Sequence, residues 1–185
     1  MAHKASKDEA RALLSVPFGL TSSLRAPESG LRRVRIGESD GRSTWTFDVR
    51  LHPRTDSQGT TSANNYSAAA VQLPGRVDGR VALARRGFLR RAETAGLSEV
   101  EAGTDELRRR FKVRASSEDV AKRVLDDRAC EWLAGPGRRF HYEIVHDRAL
   151  AYGWRRYISN RGPLRAAVGL ASHLSLPVES ARRAS

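Results

Sequence analysis

The clearest alternation of apolar and polar positions is WTFDVRL, residues 45–51. Trp45, Phe47, Val49 and Leu51 share one face by period two, and Thr46, Asp48 and Arg50 take the other. The pattern predicts a strand over 43–52. A weaker alternation with Val34 and Ile36 predicts another over 31–37, and Asp40-Gly41 supplies the turn between them. Residues 53–65 are polar and read as a loop. Strands follow at 66–74 and 80–85, with Pro74 ending the first and GRVDG turning the chain. Residues 86–106 are mixed, with a helical turn around Phe88 and Leu89.

From residue 107 the pattern strengthens. In LRRRFKVRA, Phe111 and Val113 alternate with Lys112 and Arg114, which predicts a strand with one wet face. Ser116 or Ser117 can cap a following helix, with Glu118 and Asp119 in its first turn. Val120, Ala121, Val124, Leu125, Ala129, Trp132 and Leu133 then recur at helical spacing, and Gly135-Pro136-Gly137 stops the run. This predicts a long helix over 117–133. Phe140, Tyr142 and Ile144 alternate, as do Leu150, Tyr152 and Trp154, so 139–157 reads as a hairpin turning at His146-Asp147-Arg148. Short helices are expected at both ends. One covers 5–16 with Ser6 as its cap. The other opens at Gly162-Pro163 and runs through Leu164, Ala167, Val168, Ala171 and Leu174.

These elements predict an α+β domain. Its antiparallel sheet has about five to seven strands, with the 117–133 helix packed on one face. Trp45, Phe47, Phe111, Val113, Val124, Leu125, Trp132 and Leu133 are the expected core. The 185 residues make a single domain: helix and loop over 1–28, sheet-and-helix core over 29–158, C-terminal helix over 162–176 and a frayed tail over 177–185.

The segment FKVRASSEDVAKRVLDDRACEWL resembles one in a family of uncharacterised actinobacterial proteins. Its positions here are Phe111, Val113, Ala115, Glu118, Asp119, Ala121, Leu125, Trp132 and Leu133. The resemblance extends over about residues 30–155. It departs in the polar 53–65 loop and at Cys130, where a larger apolar residue is expected. Some relatives carry membrane helices ahead of the domain. The resemblance implies a fold and no activity.

Composition narrows the chemistry. No apolar run approaches the ~20 residues of a membrane span, and the N-terminus does not read as a signal peptide, so the expected location is the cytoplasm. The single cysteine, Cys130, excludes an internal disulfide and a thiolate metal cluster. His3, His52, His141, His146 and His173 fall in no zinc-ligand spacing, and no phosphate-cradling glycine loop or nucleophile elbow is present. His146 beside Asp147 has the types of a base and its orienter, but both sit where a turn is expected. No catalytic residue, metal or cofactor is therefore expected.

The net charge of +12 is the feature that asks for a partner. Of 33 basic residues 29 are Arg, which a GC-rich coding sequence favours over Lys, but the excess over acidic residues remains. If LRRRFKVRA is extended, Arg108, Arg110, Lys112 and Arg114 form a row at roughly 6–7 Å spacing, suited to successive phosphates. Arg155 and Arg156 lie close to the aromatics Tyr152, Trp154 and Tyr157, as in single-strand binders. The expected function is a non-catalytic interaction or regulatory domain with a protein partner. The alternative is weak, sequence-independent binding of nucleic acid or an anionic surface by Arg108, Arg110, Lys112, Arg114, Arg155 and Arg156.

Overall fold

The structure is a computed structural model, and it describes residues 2–22, 30–50, 54–55, 61–62, 65–86, 96–154 and 161–176. The expected α+β architecture is present. A seven-stranded antiparallel sheet is formed by β1 (His3–Lys4), β2 (Leu31–Ser39), β3 (Arg42–Arg50), β6 (Asn65–Arg85), β7 (Ser98–Glu99), β8 (Phe111–Ala115) and β9 (His141–Trp154). A separate pair joins β4 (Arg54–Thr55) to β5 (Thr61–Ser62). The helices are α1 (Lys7–Leu14), α2 (Gly19–Ser22), α3 (Asp105–Arg110), α4 (Glu118–Val124), α5 (Asp127–Ala134) and α6 (Arg161–His173).

The spine is one long ribbon. β9 pairs with β6 from Tyr66↔Trp154 to Leu83↔Tyr142. On its other side β6 pairs first with β3 and then, beyond the middle, with β8. Two expected turns are therefore not turns. GRVDG lies inside β6, and His146-Asp147-Arg148 lies inside β9. The two segments face each other at Val77↔His146, where the register shifts on both sides. The residues that favour turns here make a bulged corner: His146 has φ 53° and Gly79 has φ 138°. The corner is sharp. His141 and Tyr152 are eleven positions apart on one strand, yet their rings stack at 5.1 Å. A straight strand would separate them by roughly 36 Å.

The bend gives the sheet an inner and an outer face. Phe47, Val49, Tyr66, Val145, Leu150 and Tyr152 point inward and bury Leu13, Phe18 and Leu20 of the N-terminal segment. Val71, Val81, Leu83, Phe111, Tyr142 and Ile144 point outward beneath α3 to α6. Ala68, Ala69 and Ala70 of β6 are buried on alternate faces, so the centre of the sheet is covered on both sides.

Of the expected core, Phe47, Phe111, Val113, Val124, Leu125 and Leu133 are buried, while Trp45 and Trp132 are half-buried. The expected single helix over 117–133 is split. Leu125 leaves the helix at φ −101°, ψ 62°, and the Asp126 carboxylate accepts from the Ala129 N–H at 2.8 Å to start α5. Asp at this position competes for a backbone donor that a continuous helix would use internally. Ser6 caps α1 as expected, in a reciprocal box with Glu9.

The Asp40-Gly41 turn is also as expected, with both residues at positive φ, 52° and 69°. No atom lies within 4 Å of where a Gly41 Cβ would stand. Gly41→Ala is therefore expected to cost only backbone strain, about 1 kcal/mol in denaturant unfolding. A loss several times larger would mean the turn has another geometry.

Candidate functional site

The row of cations expected along 108–114 does not form. Thr104 caps α3 through its hydroxyl, which accepts from the Leu107 N–H at 3.3 Å, and the chain stays helical to Arg110. Asp105 and Glu106 occupy the first turn and the three arginines the last, the order the helix dipole favours. Arg108 pairs with Asp105, and Arg110 with Glu106 at 3.0 Å. On a helix Arg108, Arg109 and Arg110 fan out instead of lining up. Lys112 and Arg114 do stand on a strand, β8, where both approach Glu99 of β7, at 3.7 and 3.9 Å. Arg155 and Arg156 lie outside the described residues.

A different basic constellation takes the row's place. Arg86, at the end of β6, donates its backbone N–H to the Arg110 carbonyl at 3.0 Å. Its side-chain Nε donates to the Arg108 carbonyl at 2.8 Å. Arg86, Arg108, Arg109 and Asp105 line an open cavity of about 420 Å³. A second cavity, about 380 Å³, lies between α5 and α6 and is lined by Arg128, Glu131, Trp132, Pro136 and His173. Its floor is Trp132, stacked on His173 and seated on Gly137 and Gly169. A Cβ at either glycine would stand 2.5 or 2.4 Å from the indole.

The groups best suited to chemistry are inside the protein. Glu143 is fully buried on the inner face. It accepts from the Gly19 N–H at 2.6 Å, the Leu20 N–H at 3.0 Å and Arg80 Nη2 at 2.8 Å. Burial pushes its carboxyl up from the usual range, and Arg80 and the two N–H groups oppose that rise. Asp48 is buried on the outer face and accepts from Arg33 Nε at 2.6 Å and the Ser67 hydroxyl at 2.9 Å. Arg33 reaches it because a bulge in β2 puts Arg33 at φ 53°. His141 is buried against Tyr152, and its Nδ1 accepts from the Arg85 N–H at 3.4 Å. Burial, reinforced by Arg85, lowers its pKa to about 4.

Cys130, His146 and Asp147 are placed as follows. The Cys130 thiol is buried and donates to the Leu125 carbonyl at 3.4 Å; burial pushes its pKa up. His146 stands at the bulge, and Asp147 pairs with Arg148 at 2.7 Å. Cys130 is accordingly expected to resist a thiol-selective disulfide reagent while the protein is folded, and to react at once in denaturant. Rapid labelling of the native protein would show that α5 opens readily. Among the described residues no group of three or more His, Cys, Asp or Glu side chains is placed to hold a metal ion.

No family model matches the chain, and no curated protein matches it. The fold does have a solved counterpart. The crystal structure of the mycobacterial trehalose monomycolate transport factor A, TtfA, is similar with a TM-score of 0.57. The similarity covers 80% of this chain and 75% of that one at 17% sequence identity, a likeness of fold. Among the described residues no helix is long and apolar enough to cross a membrane.

Glu143 and Asp48 escape a reading of the sequence because each sits on the polar side of a period-two pattern. That side looks wet until both faces of the sheet are known to be covered. The one signal for it is YSAAAVQL, which is small or apolar at nearly every position of β6. A strand of that kind is buried on both faces, so carboxylates on its neighbours need partners.

Proposed function

We propose that this chain is a non-catalytic interaction domain that works through a protein partner, and that the partner presents an acidic surface. The observation that carries this reading is where the reactive groups are engaged. Glu143, Asp48, His141 and Cys130 all hold the fold together, and arginine dominates what is left outside. A net charge of +12 steers association with acidic partners and gives it a rate that falls with salt. The fold likeness to the transport factor TtfA supports an accessory role over a catalytic one. Arg108 and Arg110 stand on a helix while Lys112 and Arg114 stand on a strand, so the four present no straight row at phosphate spacing, which favours a protein over a nucleic-acid backbone.

The test is quantitative affinity capture from the native host with and without nuclease. The expected result is one protein recovered in comparable amount either way, which then forms a binary complex with the purified chain. Recovery that disappears with nuclease would move the partner to nucleic acid. In that case random-sequence DNA would bind on the order of micromolar or weaker at physiological salt, with a steep loss as salt rises.

A further inference from the structure

We propose that the cavity between α3 and the end of β6 is a binding site for a phosphate group, held by Arg86, Arg108 and Arg109. Three guanidinium groups and one carboxylate line this cavity of about 420 Å³. Among the described residues that line it, two positive charges are therefore left over, the charge of a phosphate monoester dianion. Arg86 is already oriented. Its Nε is held by the Arg108 carbonyl at 2.8 Å, which leaves both terminal nitrogens of the fork for a ligand. The Arg109 side chain is exposed, and its guanidinium makes no hydrogen bond or ion pair among the described residues. Arg108 already holds an oxyanion, the Asp105 carboxylate. That contact shows that its guanidinium can be met by an acidic oxygen at this spot. It is a solvent-exposed pair of the kind worth little, so an incoming dianion displaces it at small cost. Phosphate suits the site better than a lone carboxylate because its oxygens can satisfy more than two guanidinium forks. This site is independent of the protein partner proposed above, and either can fail without the other.

The phosphate can belong to a free compound or to a lipid headgroup, and the probes separate the two. Pyrophosphate is titrated into the full chain by calorimetry at low ionic strength, and vesicles of phosphatidylcholine with and without phosphatidic acid are tested by co-sedimentation. Binding of pyrophosphate at one site is expected. Vesicle binding that requires phosphatidic acid would assign the phosphate to a headgroup, and its absence would assign it to a soluble compound. Arg86→Ala/Arg109→Ala is expected to weaken pyrophosphate binding at least about tenfold. Arg32→Ala/Arg35→Ala removes the same charge from exposed positions on β2 and is expected to change it by less than about twofold. Arg86→Lys/Arg109→Lys keeps the charge, loses the forks and is expected to bind several-fold more weakly than the native chain. Circular dichroism confirms that each variant is folded. Equal losses in the two alanine pairs would overturn the site in favour of diffuse charge. So would binding to neither probe, or tighter binding of polyglutamate than of pyrophosphate.

Discussion

Replacing Glu143 by alanine is expected to lower the unfolding free energy by about 3–5 kcal/mol, measured by denaturant titration. The carboxylate has no exposed surface and accepts from Gly19, Leu20 and Arg80. Removing it takes the buried carboxylate away from a guanidinium that is itself mostly buried, and it orphans two N–H groups at the start of α2. The loss should be coupled to that segment. Phe18 precedes the first bonded N–H and Leu20 carries the second; both belong to the inner core, so their burial depends on the same anchor. Glu143→Gln keeps part of the hydrogen bonding and should cost less. Replacing Glu143 and Arg80 together by leucine should recover part of the loss, because the buried guanidinium then no longer faces a missing carboxylate. A loss below about 1 kcal/mol for Glu143→Ala would mean that the N-terminal segment does not rest on this carboxylate.

Acid is expected to destabilise the protein through His141. Its folded pKa of about 4 lies below the usual 6.5 of a free imidazole, so the neutral ring is the one the fold accommodates. Between those two values the unfolded chain binds more protons than the folded one, and stability falls as pH falls. The contribution is fully present above about pH 6.5 and is lost on the way down to about pH 4. It amounts to about 3 kcal/mol. His141→Phe keeps a flat ring against Tyr152 and removes the titration. The stability of that variant should therefore change less over the same range, by about the same amount. Parallel pH profiles for the two proteins would show that the His141 ring is solvated.

The strands that carry one apolar stripe were legible in the sequence: β3 through Trp45, Phe47 and Val49, and β8 through Phe111 and Val113. So were the Asp40-Gly41 turn and the Ser6 cap, where local chemistry and global fold agree. Three elements were not. Gly75 to Gly79 and His146-Asp147 have turn residues, but two long paired strands turn them into the two sides of one bulge. Only the pairing, which no local pattern contains, distinguishes a hairpin from a corner. Asp126 splits the expected helix because a carboxylate inside an apolar periodicity can be either a wet position or a new cap. Arg108 to Arg110 read as strand because FKVRA behind them is one. The weaker signal, Thr104-Asp105-Glu106, decides the matter by capping α3. That change of element is what dissolves the expected row of cations and brings Arg108 and Arg109 beside Arg86. The cavity they line joins residues more than twenty positions apart, which spacing along the chain does not reveal.

If the chain binds a protein partner, as proposed above, while its buried polar groups serve the fold, substitutions inside should leave that binding intact. The most direct measurement is the dissociation constant of the nuclease-treated complex of the purified chain and its captured partner. It should be made for the native chain, Glu143→Gln and His141→Phe, at neutral pH where all three are folded. A binary complex is expected in each case, with constants within about twofold of one another and weakening as salt rises. Failure to form the complex from purified components, or its dependence on added nucleic acid, would contradict it.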